Sequence, residues 1–319
     1  MIRRLLAATI VAAVLLPAAA AGQDRPLRIV FPFAAGGAGD AMTRLIGEQL
    51  QSGLKRPVIV ENRTGAGGRI GVRAVADAPA DGTTLLMTPS AMMTVYPHFR
   101  PGPGYDPARD FVPVAEVAVF DVAIAVGPHV PARTLADLQA WIAADPARAS
   151  YGTPGAGTPA HFAGVEIARL SGLDLRHAPY RGTPAAMVDL LGGRIAFIIS
   201  ATAELIEGHR AGRTAILATS DAARSPFLPD VPTFHEAGLP FSFRAWYGLF
   251  APARTPPAVA TELGAAVVGV LAMPAMRARV LALGFRPTGA DGATLAAALR
   301  DDLAAWGPIV AASGFTPDQ

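Results

Sequence analysis

The sequence predicts an α/β protein of two lobes, each a mostly parallel sheet flanked by helices, with a cleft between them. Short apolar runs alternate with helical periods of ten or more residues, the pattern of repeated βαβ units. A chain of 319 residues exceeds what one hydrophobic core usually holds, even after loss of a leader. Two long, apolar, extended stretches, 111–126 and 224–234, carry no helical period and read as segments crossing between lobes. On that layout the first lobe is discontinuous, 22–125 with 228–319, and the second is 126–227. Such an arrangement closes by hinge motion around a ligand.

The elements follow in order. Leu27 to Phe31 reads as a strand, followed by a glycine-rich turn. A helix starts near Asp40, with Met42, Leu45, Ile46 and Leu50 on one face. Strands are expected over 57–60 and 84–87. Thr134 and Asp137 form a capping box for a helix with Leu135, Leu138, Trp141 and Ile142 as its apolar stripe, stopped by Pro146. Thr158-Pro159 and Thr183-Pro184 each place an N-cap residue before a proline, and the two helices close at Gly172 and Gly192. Strands are expected over 194–200 and 214–219. Thr255-Pro256 opens a helix carrying Val259, Leu263, Val267 and Val270. The last helix starts near Asp291 with Leu295, Leu299, Leu303 and Trp306, and Pro308 should kink or end it.

The first residues set an expected compartment. Arg3 and Arg4 precede an apolar run over 5–16, and Ala19, Ala20 and Ala21 offer small residues for cleavage. This is the order of a secretory signal peptide over 1–21, and the run is short for a membrane span. There is no cysteine, so a large core must replace disulfides, as in the bacterial periplasm. The chain has 27 basic and 25 acidic residues, and the leader holds two of the basic ones. The remainder is formally neutral, with no pull toward nucleic acid or an anionic membrane. Hydrophobic residues make up 51 % and charged ones only 16 %, enough apolar surface for a packed α/β interior.

Two segments share one layout of strand, glycine-rich loop and helix. The first is Pro32-Phe33-Ala34-Ala35-Gly36-Gly37-Ala38-Gly39-Asp40, and the second runs from Tyr151 through Gly155 and Gly157 to His161. Glycines let the backbone approach a ligand closely, and free N–H groups at a helix start attract an anion. Either could instead be a plain strand-to-helix turn. A dinucleotide site fails on spacing in the first, where Met42 stands at the third glycine position. The second is a degenerate fingerprint, but nicotinamide cofactors are not a periplasmic supply. Two such loops facing one cleft would clamp a carboxylate from both sides. Catalytic patterns are missing: no Gly-x-Ser-x-Gly, no His-Glu-x-x-His, no cysteine nucleophile and no P-loop. The six histidines are dispersed without metal-ligand spacing. Neither a cofactor nor a metal is expected.

Further stretches carry a resemblance. Ile29 to Phe33 with Gly36, Gly37 and Asp40 is followed by Val60-Glu61-Asn62-Arg63 with the glycines at 65, 67, 68 and 71. Asp81 to Leu86, Tyr105-Asp106-Pro107, Tyr151 to His161 and Pro179-Tyr180-Arg181-Gly182 come next. Asp189 to Gly193, Ser225 to Thr233, Glu236-Ala237-Gly238 and Trp246 with Gly248 complete the set. In that order they resemble the extracytoplasmic receptors of tripartite tricarboxylate transporters, the Bug family, over most of the chain. The resemblance implies a two-lobe Venus-flytrap fold of the periplasmic-binding-protein kind. Its function would be capture of a small organic acid for membrane permease subunits, by a monomer, with no chemistry on the ligand. A periplasmic sensor subunit feeding a two-component receptor is the alternative. Ligand contacts carried over are Phe33, Gly36 and Gly37 in the first loop, Ser90 after the third strand, and Gly155 with Thr158 in the second loop. Tyr180 and Ser200 join them as candidates. The chain departs from the family in Ala34-Ala35 for prolines, in Gly39 and Tyr96, and in Ser200 where Asp is common. A neutral Ser200 leads to the expectation that the far end of the ligand is uncharged or anionic.

Overall fold

The computed structural model describes residues 25–99 and 102–316; the leader expected over 1–21 lies outside the described residues. The chain runs β1 (Leu27–Phe31), α1 (Ala38–Leu54), β2 (Val58–Asn62), α2 (Arg69–Ala76) and β3 (Thr84–Pro89). Two short helices, α3 (Ser90–Thr94) and α4 (Pro107–Asp110), lead to β4 (Phe111–Phe120). Then come β5 (Val122–Val126), α5 (Leu135–Ala143), β6 (Ser150–Thr153), α6 (Pro159–Ser171), β7 (Arg176–Pro179), α7 (Thr183–Leu191), β8 (Phe197–Ala201), α8 (Thr202–Arg210) and β9 (Ala215–Thr219). The last segment is β10 (Ala245–Pro252), α9 (Pro257–Ala272), α10 (Pro274–Ala282), β11 (Arg286–Asp291) and α11 (Gly292–Ser313).

Two sheets result, ordered β11-β4-β10-β3-β1-β2 and β7-β6-β8-β5-β9. Each is covered by helices on both faces, and strand periodicity decides which side chain goes where. In β1, Leu27, Ile29 and Phe31 face α1 and α9, against Met42, Ile46, Leu50, Leu263 and Val267. Val30 and Leu86 face the other way, against Val72, Val75, Leu295 and Leu299 of α2 and α11. In β5, Val122, Ile124 and Val126 pack with Leu138 and Ala163, while Ala123 and Ala125 pack with Leu190 and Leu205. No single helix among the described residues is long and apolar enough to cross a membrane.

The two-lobe α/β architecture is as expected, but pairing within the sheets is mixed rather than mostly parallel. β1 pairs parallel with β2 and β3, whereas β10 runs antiparallel to both β3 and β4, and β11 antiparallel to β4. In the second sheet β5 is antiparallel to β8 and β9. The cause is the double crossing, since a strand that leaves a lobe and one that returns run in opposite senses.

The first crossing falls within the expected stretch 111–126, ahead of the expected boundary at 125, and the second sits elsewhere than expected. β5, expected in the first lobe, belongs to the second sheet, so the chain crosses at Asp121. The run 224–234 does not cross. Leu228 and Val231 are buried against Leu190 and Leu205, and Phe234 and Leu239 join the core of the second sheet. The return comes only after Phe243, whose N–H still donates to Ser220 O at 2.8 Å, and β10 then pairs Ala245 with Phe120. Three prolines made the run look extended, but its apolar side chains had a core to fill within the second lobe.

Two helix-end expectations change as well. Thr183 does not cap α7; Gly182 holds the N-cap position. Pro308 lies inside α11, which continues to Ser313. Trp306 and Val310 on either side of it are buried, and burial of two such side chains, at about 1.5–3 kcal/mol each, offsets a proline cost of about 3 kcal/mol.

Helix α9 lies close on β4 because Gly264 has no side chain: a Cβ there would stand 2.6 Å from the Val114 carbonyl oxygen. A backbone oxygen in a sheet interior cannot yield. Gly264→Ala should therefore destabilise by about 1–3 kcal/mol despite the better helix propensity of alanine, read as a lower urea midpoint with an unchanged slope.

Candidate functional site

The carboxyl ends of the parallel strands in both sheets open onto the gap between the lobes, the usual place for ligands in α/β folds. From the first lobe come the loop 32–37 after β1, the loop 63–68 after β2, and Ser90 after β3. From the second come the loop 154–158 after β6, Tyr180 after β7, and Ser200 at the end of β8. The lobes touch beside them. A Cβ on Gly157 would meet Phe99 of the first lobe at 2.9 Å, and one on Gly284 of the first lobe would overlap Ala203 at the start of α8.

The first loop is shaped from beneath by Asp40, only 3 % exposed. Its Oδ2 accepts from Gly36 N at 3.0 Å and from Arg44 Nε at 3.0 Å, and its Oδ1 accepts from Asn62 Nδ2 at 2.8 Å. Arg44 Nη2 donates to Asn62 Oδ1 at 2.6 Å, and Asn62 Nδ2 also donates to Phe33 O at 3.1 Å. Burial opposes the Asp40 charge, but the Arg44 guanidinium, Gly36 N–H and Asn62 amide outweigh it and hold the carboxyl below the ordinary range. The turn needs Gly36 at φ +94°. Chain neighbours aside, no atom of the described residues lies within 4 Å of where a Cβ would stand on Gly36 or Gly37. Gly37 is the N-cap of α1 and no side chain caps the helix, so its first N–H groups face outward toward that open side. Phe33 packs edge-on against Phe31 at 5.7 Å.

The second loop is held by hydroxyls. Thr158 caps α6 by accepting from His161 N at 3.3 Å, and donates to Gly155 O at 2.8 Å. Thr153 Oγ1 also donates to Gly155 O, at 3.0 Å. Beneath the loop, His161 and His177 stack with ring centroids 4.0 Å apart. Gly157 N donates to His161 Nδ1 at 3.2 Å, which places the His161 proton on Nε2, and His177 Nε2 lies 2.7 Å from Thr153 Oγ1. The sequence presented these histidines as dispersed; they are sixteen positions apart, His161 in the first turn of α6 and His177 on β7, and the β6–α6–β7 crossover brings them together.

The other three candidates have engaged hydroxyls. Ser90 is buried, and its Oγ accepts from Trp246 N at 3.4 Å. Tyr180 OH donates to Asp189 Oδ2 at 2.8 Å within the second lobe, and its phenol is raised to about 12, by burial first and then by Asp189. Ser200 is fully buried and its Oγ donates to Glu204 Oε2 at 2.8 Å, with Thr183 Oγ1 at 2.6 Å. A neutral Ser200 therefore does not leave a neutral surface, because Glu204 brings a carboxylate to it. Sequence reasoning quoted Asp40 and Asn62 within motifs without giving either a role in the site, and it did not name Glu204. The four-residue spacings Asp40–Arg44 and Ser200–Glu204 were the available signals. Among the described residues no group of three or more His, Asp or Glu side chains is placed to hold a metal ion.

Comparison with known proteins agrees with this architecture. The profile described as "Tripartite tricarboxylate transporter family receptor" matches residues 42–315. Protein BugT of Bordetella pertussis is 32 % identical over 292 residues, 91 % of this chain and 90 % of that protein. The structure of MatC from Rhodopseudomonas palustris with bound malate superposes with a TM-score of 0.78 at 30 % identity, covering 90 % of this chain and 99 % of that one. The periplasmic binding protein BugD gives 0.79 at 30 % identity, with 92 % and 99 % covered. The chain belongs to the tripartite tricarboxylate transporter receptor family, whose members are solute-binding proteins and not enzymes.

The stacked histidines make stability depend on pH. Burial lowers both to about 4, with His161 adding to the effect on His177. Unfolded, each returns to about 6.5. Between these values the unfolded chain binds more protons, so the pair's contribution is complete above pH 6.5 and is lost as pH falls toward 4. Thermal unfolding should show the midpoint falling between pH 7 and pH 4.5, and falling less steeply in His177→Leu; equal slopes in the two proteins would count against this.

Proposed function

We propose that the chain is a periplasmic receptor that captures a small organic carboxylate in the gap between its lobes and delivers it to the permease subunits of a tripartite tricarboxylate-type transporter. One observation carries the reading: the N-terminus of α1 has no side-chain cap, and the Cβ side of Gly36 and Gly37 is open among the described residues, chain neighbours aside. Unpaired N–H groups at a helix start, reinforced by the helix dipole, favour an anion there. The malate seen with MatC and the adipate seen with a second R. palustris protein of TM-score 0.82 and 28 % identity support a carboxylate as that anion.

In this reading Phe33, Gly36 and Gly37 hold the carboxylate from the first lobe, and Gly155 with Thr158 approach it from the second. Ser90, Tyr180 and Ser200 shape the walls, since their hydroxyls already bond within the protein. The lobes are 25–120 with 245–316, and 122–243, joined at Asp121 and Arg244. The chain works as a monomer and is exported through the leader at 1–21, so the exported protein should begin near Gly22. Intact mass of periplasmic material tests that directly; a retained Met1 would refute export by cleavage.

Binding is testable by a thermal-shift screen of organic acids. An acid at a hundred times its dissociation constant adds about 2.7 kcal/mol and should raise the midpoint by several degrees. Gly37→Val provides the control. Gly37 has φ −78° and open space around its Cβ position, so the fold should be unchanged. The added methyls would stand where the carboxylate meets the backbone, and affinity should fall tenfold or more, about 1.4 kcal/mol. Full affinity in a folded Gly37→Val protein would remove the first loop from the site.

A further inference from the structure

The second lobe presents one carboxylate to the gap that neither the fold nor the carboxylate clamp accounts for. Glu204 stands in the first turn of α8 and is exposed. Its Oε2 accepts from Ser200 Oγ at 2.8 Å and from Thr183 Oγ1, while Oε1 takes part in none of the described hydrogen bonds. Thr183 and Ser200 are themselves buried and lie 2.6 Å apart, so the two hydroxyls fix one oxygen and direct the other outward. Among the described residues no Lys, Arg or His nitrogen lies within ion-pair distance of Glu204. This carboxylate is oriented but not neutralised.

Its position relative to the first lobe matters more. Helix α8 begins against that lobe, with Ala203 packed on Gly284. Burial, and after it the charge of Glu204, raises the phenol of Tyr247 on β10. The hydroxyl of Tyr247 in turn lies 2.7 Å from where a Cβ on Gly39 would be, in the first turn of α1. Tyr247 thus lies beside the helix start whose N–H groups attract an anion and is near enough to Glu204 to feel its charge. The gap is polarised, with donors on the first lobe and a free carboxylate oxygen on the second.

We propose that Glu204 is the specificity-determining residue of the gap, accepting a hydrogen bond from a hydroxyl or ammonium group on the ligand and excluding a second ionised carboxylate from that place. The proposal rests on the carboxylate-receptor reading above. A ligand carrying its carboxylate at the α1 loop and a donor at the other end satisfies both poles. A linear diacid would set two carboxylates against each other across the Glu204 Oε1 position, and like charges a few ångströms apart repel strongly in a partly desolvated cleft.

Matched probes separate these cases: succinate, 4-hydroxybutyrate and 4-aminobutyrate, and the five-carbon set glutarate, 5-hydroxyvalerate and 5-aminovalerate. Calorimetry on the full exported chain should show the hydroxy or amino member of one set binding at least tenfold tighter than its diacid. Glu204→Gln should erase that preference and tighten the diacid, whereas Glu204→Asp should retain it; Glu204→Gln should unfold near the wild-type midpoint, because its amide oxygen still accepts from the Ser200 and Thr183 hydroxyls. A hydroxyl preference over ammonium would identify hydroxy acids as the ligand class, and the reverse would identify amino acids. A diacid preferred by the wild type, a preference unchanged in Glu204→Gln, or binding of other screened acids but none of these six would overturn the role of Glu204 alone. Failure of every organic acid to bind would overturn the receptor reading itself.

Discussion

Strand β4 carries the chain out of the first sheet and β10 carries it back, and the two pair antiparallel along Phe111–Phe120 and Ala245–Pro252. Every other feature of the gap depends on that pairing. Because both crossing strands lie inside the first sheet, the second sheet is suspended from its middle, at Asp121 and Arg244. Asp121 ties the first crossing to α8: its carbonyl accepts from Thr202 N at 3.0 Å and its Oδ2 from Thr202 Oγ1 at 2.7 Å. Arg286 of β11 pairs with Asp221 of the second lobe at the same level. The strand ends that carry the loops then face one another by construction, and no loop has to reach far to enter the gap.

The two glycine-rich loops look alike in sequence and are held by different physics. Thr158 supplies its helix with a side-chain cap, so one of the orphan N–H groups of α6 is already satisfied. Helix α1 has no such cap. Its loop takes shape from Asp40 inside the helix, which draws Gly36 N inward and recruits Arg44 and Asn62. A buried carboxylate at a helix start would compete with an incoming anion if it stood bare. Its two oxygens are already occupied by a guanidinium, an amide and a backbone N–H, so its charge is compensated and the outer N–H groups remain unpaired. The first loop is the more open anion site of the two for this reason.

Local rules were legible wherever the controlling partner was near in sequence. The capping box Thr134–Asp137, the Thr158 cap and the Gly172 terminus appear where the spacing places them. The glycine loops and their helices could be read for the same reason. What escaped was set by partners far along the chain. Thr183 carries the same Thr-Pro signal as Thr158, yet its hydroxyl turns to Ser200 and Glu204, seventeen and twenty-one residues away. Tyr180 turns to Asp189, and His161 of α6 meets His177 of β7 only through the β6–α6–β7 crossover. The second crossing was misplaced because extended backbone alone cannot distinguish a linker from a segment whose apolar side chains have a core to fill. The expectation for Ser200 rests on its own neutrality and leaves out the carboxylate that its hydroxyl meets, Glu204 at the start of the next helix.

Aromatic packing then links the position of the second loop to the position of the lobes. Phe99 of the first lobe lies 6.2 Å from Phe162 of α6, and Phe315, beyond α11, lies 5.3 Å from Phe99, 5.8 Å from Phe162 and 5.1 Å from His161. Gly157, at φ +74°, sits under Phe99 and Phe315 with no room for a Cβ. Each aromatic pair contributes about 0.5–1.5 kcal/mol beyond simple burial, so separating the lobes on this side costs a few kcal/mol. That cost is small beside the 8.2 kcal/mol of a micromolar ligand, and large enough to bias the lobes toward contact. A rotation that parts the lobes on this side slides Phe99 and Phe315 off Gly157, and with them goes the wall against which the loop 154–158 and the Gly157–His161 hydrogen bond are set. The loop nearest the second lobe's helix start is therefore shaped in part by the first lobe, and its geometry for an anion is complete only while the two are packed together.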